Sequence, residues 1–177
     1  MHPDSIRSAL RSHTADQHQK LDDAVGAFHT VEGYARFVRQ SYSFRAATEK
    51  AIPPSVDWSV IPLSGLLAND LDDLGEAPDE QIRFPSASAD PDYWLGVAYV
   101  LEGSALGARL LVRRAAALGF SGTRGARHLA VQAETGSRWR DFQGRLDAAP
   151  VAAHQAMLAG AAAAFDFALS IYAANDR

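Results

Sequence analysis

His18 is the residue whose type and setting raise the most chemistry. Ile6, Leu10, Thr14, His18, Leu21 and Val25 recur at steps of three and four, the period of an amphipathic helix. An imidazole on that apolar stripe is unfavourable unless it finds a partner. One reading is a core histidine bonded to a carbonyl or carboxylate; the other is an axial ligand pointing into a flat, apolar cavity. Periodicity alone favours the first. The other histidines, His2, His13, His29, His128 and His154, lack such a setting. A second oddity lies in "YVLEGSALGARLLVRRAA", residues 99–116, which reads as helix but carries Gly103 and Gly107 four apart. Two interior glycines cost about 2 kcal/mol against alanine. Either another helix or a flat ligand must approach that backbone closely.

Arg11 precedes His18 by seven residues. Two turns of helix place it on the same face, about 10 Å along the axis, near the distance from a porphyrin iron to its propionate edge. The plainer reading is a surface arginine at the helix rim. Other chemistries are poorly served. The chain has no cysteine, which removes disulfides, thiolate–metal sites, Cys nucleophiles and Fe–S clusters. No Glu-x-x-His occurs, so a di-iron carboxylate bundle has no ligand set. His-Glu-x-x-His, Gly-x-Ser-x-Gly, Walker A and Gly-x-Gly-x-x-Gly are absent too. Asp72 and Asp73 fall at exposed spacing and read as a solvated face.

The elements that position these residues are helical. The spacing predicts a first helix from Asp4 or Ser5, either of them an N-cap, to about Val25. A second follows Thr30, buries Tyr34, Phe37, Val38, Phe44 and Ala47, and stops before Pro53-Pro54. A third, "SGLLANDLDDLG", closes at Gly75. Residues 76–91 read as a long surface connection. A fourth helix runs from about Asp92 to Leu118, two shorter ones span roughly 125–134 and 138–147, and a last one starts at Pro150. With no strand alternation, repeat or linker, the expectation is an all-α fold in one domain over 1–177. Lys and Arg number 17 against 21 Asp and Glu, a net −4 with neutral His, which argues against non-specific nucleic-acid binding. The N-terminus lacks the apolar core of a secretory signal. The richest apolar stretch, 94–119, is interrupted by Glu102, Arg109, Arg113 and Arg114, so no membrane span is expected and the cytoplasm is the expected compartment.

"LRSHTADQHQKLDD" followed some eighty residues later by "YVLEGSALGARLL" resembles the bacterial heme oxygenase family, as do "LLANDLDDLG" and "GSRWRDF". The resemblance covers most of the chain. It implies a helical bundle with heme between the first helix and a glycine-bearing distal helix. By position it implies His18 as the ligand of heme iron, Arg11 and Tyr99 as contacts for the propionates, and Gly103, Ser104 and Gly107 as the distal segment over the heme. Arg138 and Arg140, beside Trp139, are candidates for further propionate contacts. Heme would be substrate and cofactor together, with O2 as co-substrate and biliverdin, CO and ferrous iron as products. Electrons would come from an external donor, a ferredoxin or a flavin reductase, because the chain carries no nicotinamide or flavin motif. The resemblance leaves open whether a biliverdin-using phytochrome or iron release is served. Ser104-Ala105 departs from the Asp or Asn common after the first glycine, and Ala108 from the second glycine of animal members. Two other functions compete: a heme carrier or sensor without turnover, and a structural helical protein in which His18 is core and the glycines ease helix packing.

Overall fold

The computed structural model describes residues 5–78, 82–86, 88–134 and 136–173; Asp4 and His2 lie outside them. The helices are α1 (Ile6–His13), α2 (Ala15–Val25), α3 (Val31–Ala51), α4 (Ser64–Asp73), α5 (Pro91–Gly103), α6 (Ala105–Ala117), α7 (Arg127–Ala133), α8 (Gly136–Asp147) and α9 (His154–Tyr172). A single 3-10 turn, Val151–Ala153, leads into α9, so Pro150 starts a turn rather than the last helix itself. Among the described residues the only β features are isolated bridges of Ser121 with Arg124 and Gly125.

Local chemistry sets most helix ends. Ser5 caps α1 by accepting from Ser8 N, and Thr30 caps α3 by accepting from Gly33 N. Gly75, at φ 71°, takes the left-handed conformation that ends α4. Two predicted long helices are each broken once. The first divides at Thr14, whose buried hydroxyl donates back to Leu10 O at 2.9 Å, a bond that competes with the backbone ladder. The fourth divides at Ser104, whose hydroxyl donates to Leu101 O at 2.7 Å.

The core pair is α5 against α9. Gly96 and Gly160 let their backbones meet, and Trp94, Leu95, Val97, Met157, Ala161 and Ala164 are buried around the crossing. The runs Pro91–Ala117 and Val151–Tyr172 are long and apolar enough to cross a membrane by length and composition. Here their apolar faces supply this crossing and a large hydrophobic cluster that also holds Leu10, Phe44 and Phe142. A second cluster joins α3 to α4 and α7 through Tyr34, Phe37, Leu67, Leu71 and Leu129.

Candidate functional site

The two broken helices face each other across an open cleft. α2 carries His18 and Leu21 along one side, and Gly103, Ser104, Gly107 and Leu110 line the other. α3, α4, α7 and α9 close its floor. The cavity has a volume of about 710 Å³, within the size range of small-molecule sites. A second cavity of about 530 Å³ adjoins it and is lined by Arg7, Arg11, Gln19 and Gln143. His18, Tyr99, Leu106 and Trp139 line both, and so form the neck between an apolar cleft and a cation-bearing annex.

His18 is not a core residue: its side chain is 64% exposed, because the stripe it occupies on α2 turns to the cleft rather than to the packed interior. Its Nδ1 stands 3.1 Å from Asp22 Oδ2, one turn further along. A carboxylate on Nδ1 fixes the tautomer and leaves Nε2 as the lone-pair atom, the arrangement that suits a metal-binding imidazole. The ring also lies 5.8 Å from that of Phe165 on α9. The i,i+4 pair was visible in "HQKLD", but spacing alone does not separate it from a surface ion pair.

The glycines answer the packing alternative. A Cβ on Gly107 would meet nothing within 4 Å, and one on Gly103 would touch only the Trp139 ring, at 3.7 and 3.8 Å. Neither glycine sits at a close helix crossing; that role belongs to Gly96 and Gly160. Gly103 and Gly107 instead leave two stretches of bare backbone on the cleft side of the distal segment, between the side chains of Ser104, Leu106 and Leu110. Ser104 lies between them, but its proton is engaged by Leu101 O, and its oxygen accepts from Gln132 Nε2 at 3.0 Å. It holds the break between α5 and α6 and ties it to α7.

Tyr99 and Arg11 converge on the annex, though they come from α5 and α1. Burial pushes the Tyr99 phenol up, with Arg11 opposing, so its hydroxyl is a donor at neutral pH. Arg138 and Arg140 go elsewhere: neither lines either cavity. Arg138 donates to both carboxylate oxygens of Glu102, at 2.8 to 3.1 Å, and to Ser59 O, and its guanidinium lies 4.7 Å over the Trp58 ring. Glu102, buried at the end of α5, draws it away from the cleft. Arg140 is exposed on α8.

Sequence reasoning missed a buried pair on the cleft floor. Asp70, fully buried on α4, accepts from His128 Nδ1 at 2.8 Å, from His128 N at 3.1 Å, and from Arg127 N and NH1, both at 3.0 Å. Burial alone would raise the Asp70 carboxyl, but these bonds hold it below the ordinary carboxylate range. Burial pushes the His128 imidazole down, against the opposing pull of Asp70. His128 lines the cleft, is 2% exposed, and its Nε2 has no bonding partner within the protein. A buried polar atom of that kind calls for water or a ligand. Asp73, read as solvated, accepts from Gly125 N at 2.7 Å and from Arg127, and so braces the same corner. No periodic signal links positions 70 and 128, 58 residues apart.

An α-helical bundle that opens an apolar cleft between one imidazole and a stretch of bare backbone, with cations in an adjoining annex, has the chemistry to take a flat, apolar ligand that carries anionic groups. The chain belongs to the heme oxygenase family, whose pattern it matches over residues 68–174. It is 32% identical to heme oxygenase PigA of Pseudomonas aeruginosa over 185 residues, which cover 93% of this chain and 92% of that one. Its fold superposes on the NO- and CO-bound heme oxygenase of Neisseria meningitidis with a TM-score of 0.77 at 28% identity, covering 95% and 90% of the two chains. The chain is accordingly a heme oxygenase, an enzyme with heme as substrate.

Proposed function

We propose that the chain opens heme to biliverdin with release of CO and ferrous iron, taking O2 as co-substrate and electrons from a separate donor. The observation that carries this reading is His18 held by Asp22 across the cleft from the bare backbone of Gly103 and Gly107. Bound heme supplies the macrocycle to be cleaved and the iron at which O2 is taken up.

The protein's residues divide the remaining work. His18 Nε2 would hold the iron, with Asp22 engaging Nδ1 and orienting the ring. The bare backbone at Gly103 and Gly107 lets the distal segment lie close to the macrocycle without placing an ionisable group there. Arg11 and Tyr99 bind the propionates in the annex, one by charge and one by a hydroxyl proton. The apolar lining, Leu21, Phe37, Phe44 and Leu110 among others, excludes bulk water and supplies most of the binding energy. His128, neutral and oriented by Asp70, accepts a hydrogen bond or takes a proton at Nε2, so it can order water on the cleft floor.

Titration with hemin, followed by reductant and O2 and identification of the product, tests the reading. A 1:1 complex that yields biliverdin supports it. A stable complex that survives reductant and O2 unchanged would mark a carrier or sensor instead.

A further inference from the structure

Heme presents two unlike surfaces: an apolar disc, and two carboxylates on one edge. The cleft and its annex match that division, so the edge entering through the neck determines which meso carbon lies under the distal segment. Of the four neck residues, Leu106 is an exposed aliphatic side chain, His18 is assigned to the iron, and Tyr99 to a propionate. Trp139 is the largest, and nothing so far gives it a task.

The indole lies against the Cα face of Gly103, where a Cβ would stand 3.7 Å from the ring. Its centroid is 5.9 Å from Tyr99 and 6.1 Å from Phe142. The residues next to it in sequence and in space are locked together: Arg138 precedes Trp139, Glu102 precedes Gly103, and Arg138 grips both oxygens of Glu102. Trp58 completes the clamp, donating from Nε1 to Glu102 Oε1 at 2.9 Å while its ring lies beneath the Arg138 guanidinium. A bidentate, mostly buried arginine–carboxylate pair fixes direction as well as distance. The clamp therefore ties α8 to the end of α5 and sets the indole at one angle beside the distal segment.

We propose that Trp139 is a specificity-determining residue that sets the in-plane rotation of heme, and hence the meso carbon cleaved, and that Glu102, Arg138 and Trp58 are positioning residues that hold it. This rests on the heme-cleaving reading above. A wide, rigid ring at the neck leaves one rotational setting for a disc whose carboxylate edge must reach Arg11 and Tyr99. A smaller side chain there leaves room for a second.

The test uses full-length Trp139→Leu, Trp139→Phe and Glu102→Gln beside wild type. Each is checked first for helicity and for 1:1 hemin binding. Two readouts follow: the biliverdin isomer distribution, and the heme-methyl NMR shifts of the ferric cyanide complex, which report rotation without turnover. The expected result is one dominant isomer and one methyl pattern for wild type, and a second isomer at one-tenth of product or more, with a second methyl set, for Trp139→Leu. Glu102→Gln should shift both readouts in the same direction, less strongly. If Trp139→Leu does not fold, Trp139→Phe decides on the same criteria. Folded, hemin-binding variants with the wild-type isomer and methyl pattern would overturn the assignment of Trp139 while leaving the function intact. Wild type that binds no hemin would overturn the functional reading and this inference together.

Discussion

Gly96 on α5 and Gly160 on α9 face each other's backbones across the core. A Cβ on Gly96 would run into Met157 O and stand 2.9 Å from Ala161 N; one on Gly160 would run into Tyr93 O and stand 3.2 Å from Val97 N. The two helices are in backbone contact, and no side chain is available to move aside. Gly96→Ala and Gly160→Ala should each destabilise the ligand-free protein by about 3 kcal/mol or more, read as a lower urea midpoint. Gly107→Ala, in open space, should leave stability unchanged or raise it by up to about 1 kcal/mol, with the midpoint following. Equal effects at the three positions would refute the assignment of packing to the first pair.

Gly107→Leu should part folding from binding. Its side chain would project into the cleft, so the ligand-free melting temperature stays close to wild type. Hemin affinity should drop by about tenfold or more, a loss of about 1.4 kcal/mol. A variant that melts early yet binds hemin normally when folded would show that the distal segment does not face the substrate.

His18→Ala tests the ligand. With 64% of its side chain exposed, its removal should change ligand-free stability by less than about 0.5 kcal/mol. The ferric and ferrous–CO spectra of the hemin complex should change and turnover collapse, with added imidazole restoring the spectrum. Spectra identical to wild type would transfer the role to another residue, and His13 would be examined next.

The cleft floor predicts a pH dependence. Burial lowers the His128 pKa in the folded chain, and the unfolded value is near 6.5. Above that value both states are neutral and stability is full. As pH falls below about 6.5 the unfolded chain takes up a proton that the folded one refuses. Stability then drops by up to about 1.4 kcal/mol per unit until the folded pKa is reached. The difference in urea midpoint between pH 7.5 and 5.5 should shrink in His128→Gln. An unchanged difference would show that His128 is not the group responsible.

The sequence made legible whatever depends on neighbours three or four residues apart. A cap at Asp4 or Ser5, a helix start after Thr30, the stop at Pro53 and the turn at Gly75 were all readable, as was the cleft stripe of α2. The breaks at Thr14 and Ser104 were not. Each depends on a hydroxyl turning back to its own helix, and at Ser104 also on Gln132 arriving from α7. The tertiary pairs were equally hidden. Asp70 with His128, Glu102 with Arg138, and Gly96 with Gly160 are brought together only by folding. Arg138 shows the cost of that blindness: beside Trp139 it read as a propionate contact, whereas a buried carboxylate 36 residues earlier had already claimed it.

The two sides of the cleft hold little buried side-chain surface of their own. α2 contributes no buried residue, and α6 contributes only Ala108 and Ala115. Each joins its more deeply packed neighbour at a break, Thr14 or Ser104. In hydrogen exchange these helices should open in small, local steps, while amides of α5 and α9 exchange only through global unfolding. Heme would then be the missing part of their interior, and its arrival would complete their folding. Its opening to a bent, more flexible linear product would remove the flat surface against which both had ordered, so catalysis itself loosens the grip that must be released before the next turnover.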